Sequence, residues 1–255
     1  MKVHQIFFKN TLRNFSYLID FGNGDIYCVD PFRSDEVISV LKDQPLKGII
    51  NTHDHCDHFS GNGDLLARYG CAVLAHPGAK IPHKTKSVSD QEVIFGQGDW
   101  LLRVLFTPGH TMTHLCLLLE KKGDPYAIFT GDCFFNAGVG NCHNGGDPEI
   151  LFQTVSTLFE KFPDELLIYP GHEYLKHNLE FTNHYEPMNL AALAFSQKLK
   201  GVNLDEVFFI NTMNVEREIN TFLRLTSKNL LKQLKLEEAS QKEIFLTLRE
   251  LRNQW

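Results

Sequence analysis

The sequence predicts an α+β chain in two parts, a mixed-sheet domain followed by a helical one, and two observations carry that reading. From the start to about residue 170, short β-like runs alternate with helically spaced segments and sharp turns. Beyond His172 the pattern becomes nearly all helix. The expected division is therefore 1–172 and 173–255. At 255 residues the chain is long enough to bury a real core in either arrangement.

Strands are expected, in order, at 16–20, 26–30, 48–52, 72–75, 101–107, 115–119, 127–130 and 166–169, where apolar runs end at turn-forming residues. Between them, 36–41, 63–69 and 148–162 repeat apolar residues at helical spacing, the last with Asp147 as an N-cap before Pro148. The final stretch places Ile244, Leu248, Leu251 and Trp255 at intervals of four, three and four. That stripe predicts a helix packed against the first domain. No internal repeat or low-complexity segment interrupts the pattern.

Apolar residues make up 43% of the chain and charged residues 22%, which excludes a disordered or fibrous protein. A net charge of −6 gives no general attraction to a phosphate backbone or an anionic bilayer, so neither nucleic acid nor membrane is an expected partner. No run approaches the roughly 18 apolar residues of a membrane span. Residues 1–21 alternate in polarity and carry Lys2, Lys9, Arg13 and Asp20, unlike a signal peptide. Six cysteines without a CxxC pair read as reduced thiols in the cytoplasm. The chain is expected to act as a monomer or weak oligomer.

The chemistry concentrates after the strand at 48–52. There, Thr52-His53-Asp54-His55-Cys56-Asp57-His58 puts three imidazoles and two carboxylates on one turn, more than one cation ordinarily needs. Further ligand types follow other apolar runs: Thr107-Pro108-Gly109-His110, Thr130-Gly131-Asp132 and Tyr169-Pro170-Gly171-His172. A glycine before each lets the backbone turn tightly toward a metal. One such histidine alone would be an ordinary residue; four strand-end signals in order point to a pair of metal ions. Asp54 and Cys56 alternate with the candidates and are expected to point elsewhere, while His114 is a candidate either for hydrogen bonding to a ligand or for the core.

With these motifs in place, the chain resembles the metallo-β-lactamase superfamily, and in particular glyoxalase II, the hydroxyacylglutathione hydrolases. The opening Met1-Lys2-Val3, Val29-Asp30-Pro31, the HxHxDH turn, TPGHT at 107–111, Gly131-Asp132 and GHEY at 171–174 follow the family in order and spacing. The resemblance implies a four-layer αβ/βα sandwich with a C-terminal helical domain. It also implies His53, His55 and His110 on one metal, Asp57, His58 and His172 on the other, and Asp132 between them. Zinc is the expected metal, and iron or manganese suits the same donors. Two such ions about 3.5–4 Å apart activate water and polarise a carbonyl without a serine or cysteine nucleophile, with Asp57 and Asp132 as candidates for proton transfer.

The resemblance further implies a glutathione thioester as the small-molecule partner, S-D-lactoylglutathione being hydrolysed to D-lactate and glutathione. Tyr174, Arg224 and Lys228 resemble the family's glutathione contacts. Asn141 and His143 are the remaining substrate candidates, standing where the family usually has a basic and an aromatic residue, and Thr221 stands in place of the usual proline. A hydrolase of another thioester or a lactone, a persulfide dioxygenase and a noncatalytic binding module are the alternatives.

Overall fold

In the computed structural model, which describes residues 1–255, the apolar runs build two sheets that face each other. The first comprises β1 (Lys2–Phe7), β2 (Phe15–Asp20), β3 (Ile26–Val29), β4 (Gly48–Ile50), β5 (Ala72–Ala75) and β6 (Lys86–Ser87), laid side by side in sequence order. Its first three strands are antiparallel, with Lys2 opposite Asp20 and Tyr17 opposite Val29; from β3 onward the pairing is parallel. Parallel neighbours need crossovers, which α1 (Ser34–Leu41) and α2 (Asn62–Tyr69) supply.

The second sheet begins with β7 (Val93–Gln97), β8 (Trp100–Phe106), β9 (Leu115–Lys121) and β10 (Asp124–Gly131). A small hairpin of β11 (Phe134–Phe135) and β12 (Gly138–Val139) and the crossover helix α3 (Pro148–Thr157) then lead to β13 (Leu167–Pro170), which pairs parallel to β10. Five helices complete the chain: α4 (Leu175–Tyr185), α5 (Leu190–Lys198), α6 (Met213–Ile219), α7 (Lys228–Leu234) and α8 (Gln241–Asn253).

Both faces of each sheet are covered over its inner strands, which is why strands such as β3, β4 and β9 are apolar on both sides. Between the sheets, Tyr17, Ile19, Val29 and Ile50 pack with Val104, Leu117, Leu119 and Phe129. On the outer side of the first sheet, Leu18, Cys28, Ile49 and Val73 meet Val37, Leu41 and Leu65 of α1 and α2. Outside the second, Cys116, Leu118, Ile128 and Ile168 meet Leu151 and Val155 of α3 together with Ile244, Phe245 and Leu248 of α8. The result is the expected α+β, four-layer αβ/βα sandwich with helices at its C-terminal end. A smaller apolar cluster joins α4, α5 and α6 through Leu175, Leu179, Ala192 and Ile219.

Several details differ from the sequence reading, among them the strands β6, β7, β11 and β12, which were not expected. The helix expected over 148–162 ends at Thr157 and is followed by a single 3-10 turn at Phe159–Lys161, which stops at Phe162 because Pro163 disfavours helical geometry there and leaves it extended. Strand β1 was not among the expected strands; it is an edge strand with a mostly half-exposed face. Strand β4 stops at Ile50, freeing Asn51 and Thr52 to begin the histidine-rich turn. No helix is long and apolar enough to cross a membrane.

Candidate metal centre

Four strand ends converge on one edge of the sandwich. After β4, residues Cys56–His58 form one 3-10 turn, so His53, His55, Asp57 and His58 approach a common point. The segments leaving β8, β10 and β13 add His110, Asp132 and His172. Two glycines make the approach possible. Gly131 has φ +45°, and a Cβ there would lie 2.4 Å from Thr52 Oγ1; a Cβ on Gly171 would lie 2.4 Å from Asp132 Oδ1.

The seven side chains separate into two groups about a shared carboxylate. His55 Nδ1 lies 3.0 Å from both His53 Nε2 and His110 Nε2. In the second group His58 Nε2 and His172 Nε2 are 3.2 Å apart, with Asp57 Oδ2 at 3.4 Å and 3.6 Å from them. Asp132 stands between: Oδ2 is 3.1 Å from His172 Nε2 and 3.6 Å from His110 Nε2, and Oδ1 is 3.4 Å from His58 Nε2.

The hydrogen bonds around the rim decide what can fill this cluster. His110 Nδ1–H donates to Asn141 O at 2.6 Å, His172 Nδ1–H to Leu12 O at 2.8 Å and His55 Nε2–H to Asn144 O at 3.1 Å. Thr52 Oγ1 donates to Asp30 Oδ2 at 2.6 Å and therefore accepts from His53 Nδ1–H at 3.0 Å. His58 Nδ1–H donates to the same Asp30 oxygen at 2.9 Å. With each outer nitrogen donating, each neutral ring turns a lone pair inward. Lone pairs crowded at 3.0–3.2 Å repel one another, and the buried Asp132 Oδ1 has no hydrogen-bond donor. Divalent cations bound to those lone pairs relieve that arrangement, and the donor set of imidazole nitrogens and carboxylates fits two such metal ions.

The electrostatics agree for most of the set. Burial pushes the His53 and His110 pKa values down, that of His110 to about 4, which keeps both rings in the neutral ligand form. Burial resists ionisation of Asp132, but His172, His58 and His110 outweigh it and hold the carboxyl well below its usual range. His58 is drawn the opposite way, since Asp132 and Asp30 outweigh its burial and favour the protonated ring. A metal ion bound there displaces that proton.

The remaining candidates are placed as follows. Asp54 turns away, accepting from Lys80 N at 3.0 Å and from Thr113 Oγ1 at 3.0 Å. Cys56 is exposed beside the cluster and belongs to neither ligand group. His114 is fully buried and accepts from the backbone N–H of Asp132 at 3.2 Å, supporting a ligand without facing the metals.

A cavity of about 280 Å³ opens onto the cluster, walled by Leu12, Cys56, Asn141, Asn144 and Tyr174 as well as the ligands. Tyr174 and Asn141 connect it to a second cavity of about 230 Å³, where His143, Asn178, Arg249 and Arg252 project. Tyr174 stacks on His172 with ring centroids 4.9 Å apart.

Arg224 and Lys228 line neither cavity. The Arg224 guanidinium is committed to buried Glu186, at 2.7 and 2.8 Å, and Lys228 is exposed at the start of α7. The cations that do reach this side, Arg249 and Arg252, were missed because the polar face of an amphipathic helix reads as solvated. Their spacing of three beside the stripe of Ile244, Leu248 and Leu251 was the available signal.

Comparison with known proteins places this geometry. The metallo-beta-lactamase superfamily pattern matches residues 11–172, and the hydroxyacylglutathione hydrolase C-terminus pattern matches residues 173–255. A hydroxyacylglutathione hydrolase of Nitrosococcus oceani is 38% identical over all of both chains, and one of a Polaromonas species is 37% identical, again over all of both. Among solved structures, that of ETHE1 from Myxococcus xanthus aligns with 99% of this chain and 98% of its own at a TM-score of 0.64 and 23% identity, a likeness of fold. With a superfamily pattern over the catalytic sandwich, a family-specific pattern over the helices and full-length relatives, the chain belongs to the hydroxyacylglutathione hydrolases of the metallo-beta-lactamase superfamily.

Proposed function

We propose that the protein hydrolyses a 2-hydroxyacylglutathione thioester, S-D-lactoylglutathione, to D-lactate and glutathione. The observation that carries this reading is the inward-facing lone-pair cluster joined to a cavity bearing arginines, in a chain with full-length hydroxyacylglutathione hydrolase relatives. His53, His55 and His110 would hold one cation, Asp57, His58 and His172 the other, and Asp132, which lies against both groups, would serve both. When bound, such a pair lowers the pKa of water and polarises the thioester carbonyl. Zinc suits these nitrogen and carboxylate donors, and iron or manganese can occupy the same set.

The chain's own residues supply the remaining steps. Asp57 and Asp132 are the acceptors for a proton leaving the attacking water. A thiolate is a good leaving group near neutral pH, so no strong acid is needed beside the sulfur. Tyr174, Asn141 and His143 line the way from the cluster to the second cavity and hold the glutathione portion. Arg249 is spent on the backbone, donating to Val139 O and Gly140 O at 2.9 and 3.1 Å, so it shapes the loop bearing Asn141. Arg252 donates to Asn178 Oδ1 at 3.1 Å and retains further N–H groups for a substrate carboxylate. We place the protein in a reducing compartment, the cytoplasm, on the support of six free cysteines.

A steady-state panel of glutathione and coenzyme A thioesters, run with metal-reconstituted protein, tests the reading. S-D-lactoylglutathione is expected to give the highest kcat/KM. Preference for coenzyme A thioesters, or no turnover of any glutathione thioester, contradicts it.

A further inference from the structure

Residues 12–14, the turn between β1 and β2, touch only one of the two ligand groups. Leu12 O accepts from His172 Nδ1–H at 2.8 Å, and Asn14 Nδ2 donates to Asp57 Oδ2 at 2.9 Å and to Asp57 O at 3.2 Å. An isolated β-bridge joins Asn14 to His172. The group His53, His55 and His110 instead donates its outer hydrogen bonds to Thr52 Oγ1, Asn144 O and Asn141 O.

Between these two residues, Arg13 adopts φ +57°, a left-handed conformation that a side chain with a Cβ does not favour unaided. Its guanidinium supplies the anchor. Nε donates to Glu173 Oε2 at 2.9 Å and Glu173 O at 3.2 Å, while Nη1 donates to Asp205 Oδ1 and Nη2 to Leu204 O, both at 2.7 Å. The backbone closes the clamp, with Glu173 N–H donating to Arg13 O at 2.9 Å. Glu173 directly follows the ligand His172, and Leu204 and Asp205 belong to the helical part between α5 and α6. The fork geometry of arginine engages both sides at once, which a point-like ammonium cannot do.

We propose that Arg13 is a positioning residue that ties the helical part of the chain to the metal position formed by Asp57, His58 and His172, and to that position selectively. The proposal rests on the two-metal reading given above. Without the guanidinium the turn loses its side-chain hold on Glu173 and Asp205 and keeps only the backbone contacts. The Leu12 carbonyl and the Asn14 amide then no longer fix the ring of His172 and the carboxylate of Asp57. Groups that orient metal ligands from behind are typically worth about 10- to 100-fold in metal affinity.

The test compares the zinc-loaded parent with Arg13→Met, Arg13→Lys and Asp205→Asn. Each is equilibrated with graded chelator, bound zinc per chain is counted, and circular dichroism reports folding. In Arg13→Met one zinc is expected to leave at a chelator concentration at least about tenfold lower than in the parent, while the other leaves at its parental concentration. Arg13→Lys is expected to fall between the two, with kcat reduced more than KM. If Arg13→Met does not fold, Asp205→Asn carries the same test with a smaller expected shift, because it removes the carboxylate charge from the helical end of the clamp, leaving the bond to Leu204 O, while Glu173 stays paired. Parental release of both ions, or equal weakening of both, overturns the proposal. A parent that holds a single zinc instead overturns the two-metal reading, and the proposal with it.

Discussion

Arg252 and Arg224 are two arginines of the helical part with opposite tasks, and their partners tell them apart. Arg224 makes a two-point ion pair with Glu186, which is itself fully buried. Arg252 has one hydrogen-bonded partner, Asn178, and lies beside the cavity that adjoins the metal cluster. Arg252→Ala is therefore expected to raise KM for the glutathione thioester by roughly 10- to 150-fold, the equivalent of a charge-assisted hydrogen bond of about 1.5–3 kcal/mol, with metal content unchanged. Such uniform binding appears in KM more than in kcat. Arg224→Ala leaves a buried carboxylate without its cation, so its cost falls on stability, up to about 3–5 kcal/mol, with KM near the parental value. Kinetics and thermal melts on both variants check the pair; a KM effect confined to Arg224→Ala would reverse the assignment. At this scale the seven candidate ligands were legible in the sequence, because strand-end glycines and the HxHxDH turn declare themselves by residue type. Their supports were not legible. Leu12, Asn141 and Asn144 act through main-chain carbonyls, which every residue carries.

Helix α6 shows how an element behind the site holds its wall in place. Its Glu216 is fully buried and receives three hydrogen bonds: Asn211 Nδ2 to Oε1 at 2.7 Å, and Ala137 N–H and Asn220 Nδ2 to Oε2 at 2.7 and 3.1 Å. Ala137 lies in the turn between β11 and β12, and β11 carries Phe135, whose ring packs against Tyr174 and His172. Burial pushes the Glu216 pKa up to about 7 despite the three donors, from an ordinary value near 4.5. A raised folded-state value means that this group's stabilising contribution is complete below about pH 4.5 and is lost as pH rises through about 7. Glu216→Gln cannot ionise and presents a donor to donors, so its baseline stability is lower and free of this dependence. The stability gap between parent and Glu216→Gln should therefore narrow from about pH 5 to about pH 7.5. Thermal melts across that range check it, and a constant or widening gap contradicts it. Elements were readable wherever apolar runs were long, as in β8 and β9. Short hairpins such as β11 and β12 were not, since two-residue strands have no periodicity to detect.

At the scale of the molecule, the sandwich gathers distant segments at one edge, and α8 joins the helical part to it by placing Ile244, Phe245 and Leu248 in the same core as Cys116 and Ile128. The last apolar stripe anticipated that contact, and the change to helical spacing after His172 anticipated a helical C-terminal part. How the polar face of α8 would meet the loop after Asp132 was not readable, because it depends on the angle at which two packed layers cross. The whole arrangement turns on Asp132, which both ligand groups share and whose Oδ1 is buried without a donor. The most direct measurement is a metal titration of chelator-stripped parent and Asp132→Asn, following S-D-lactoylglutathione hydrolysis against metal bound per chain. Parental activity is expected to reach its plateau at two ions per chain, and Asp132→Asn to hold fewer ions and stay far below that plateau. Full parental activity at one ion per chain, or an Asp132→Asn enzyme as active as the parent, would contradict a shared two-metal centre.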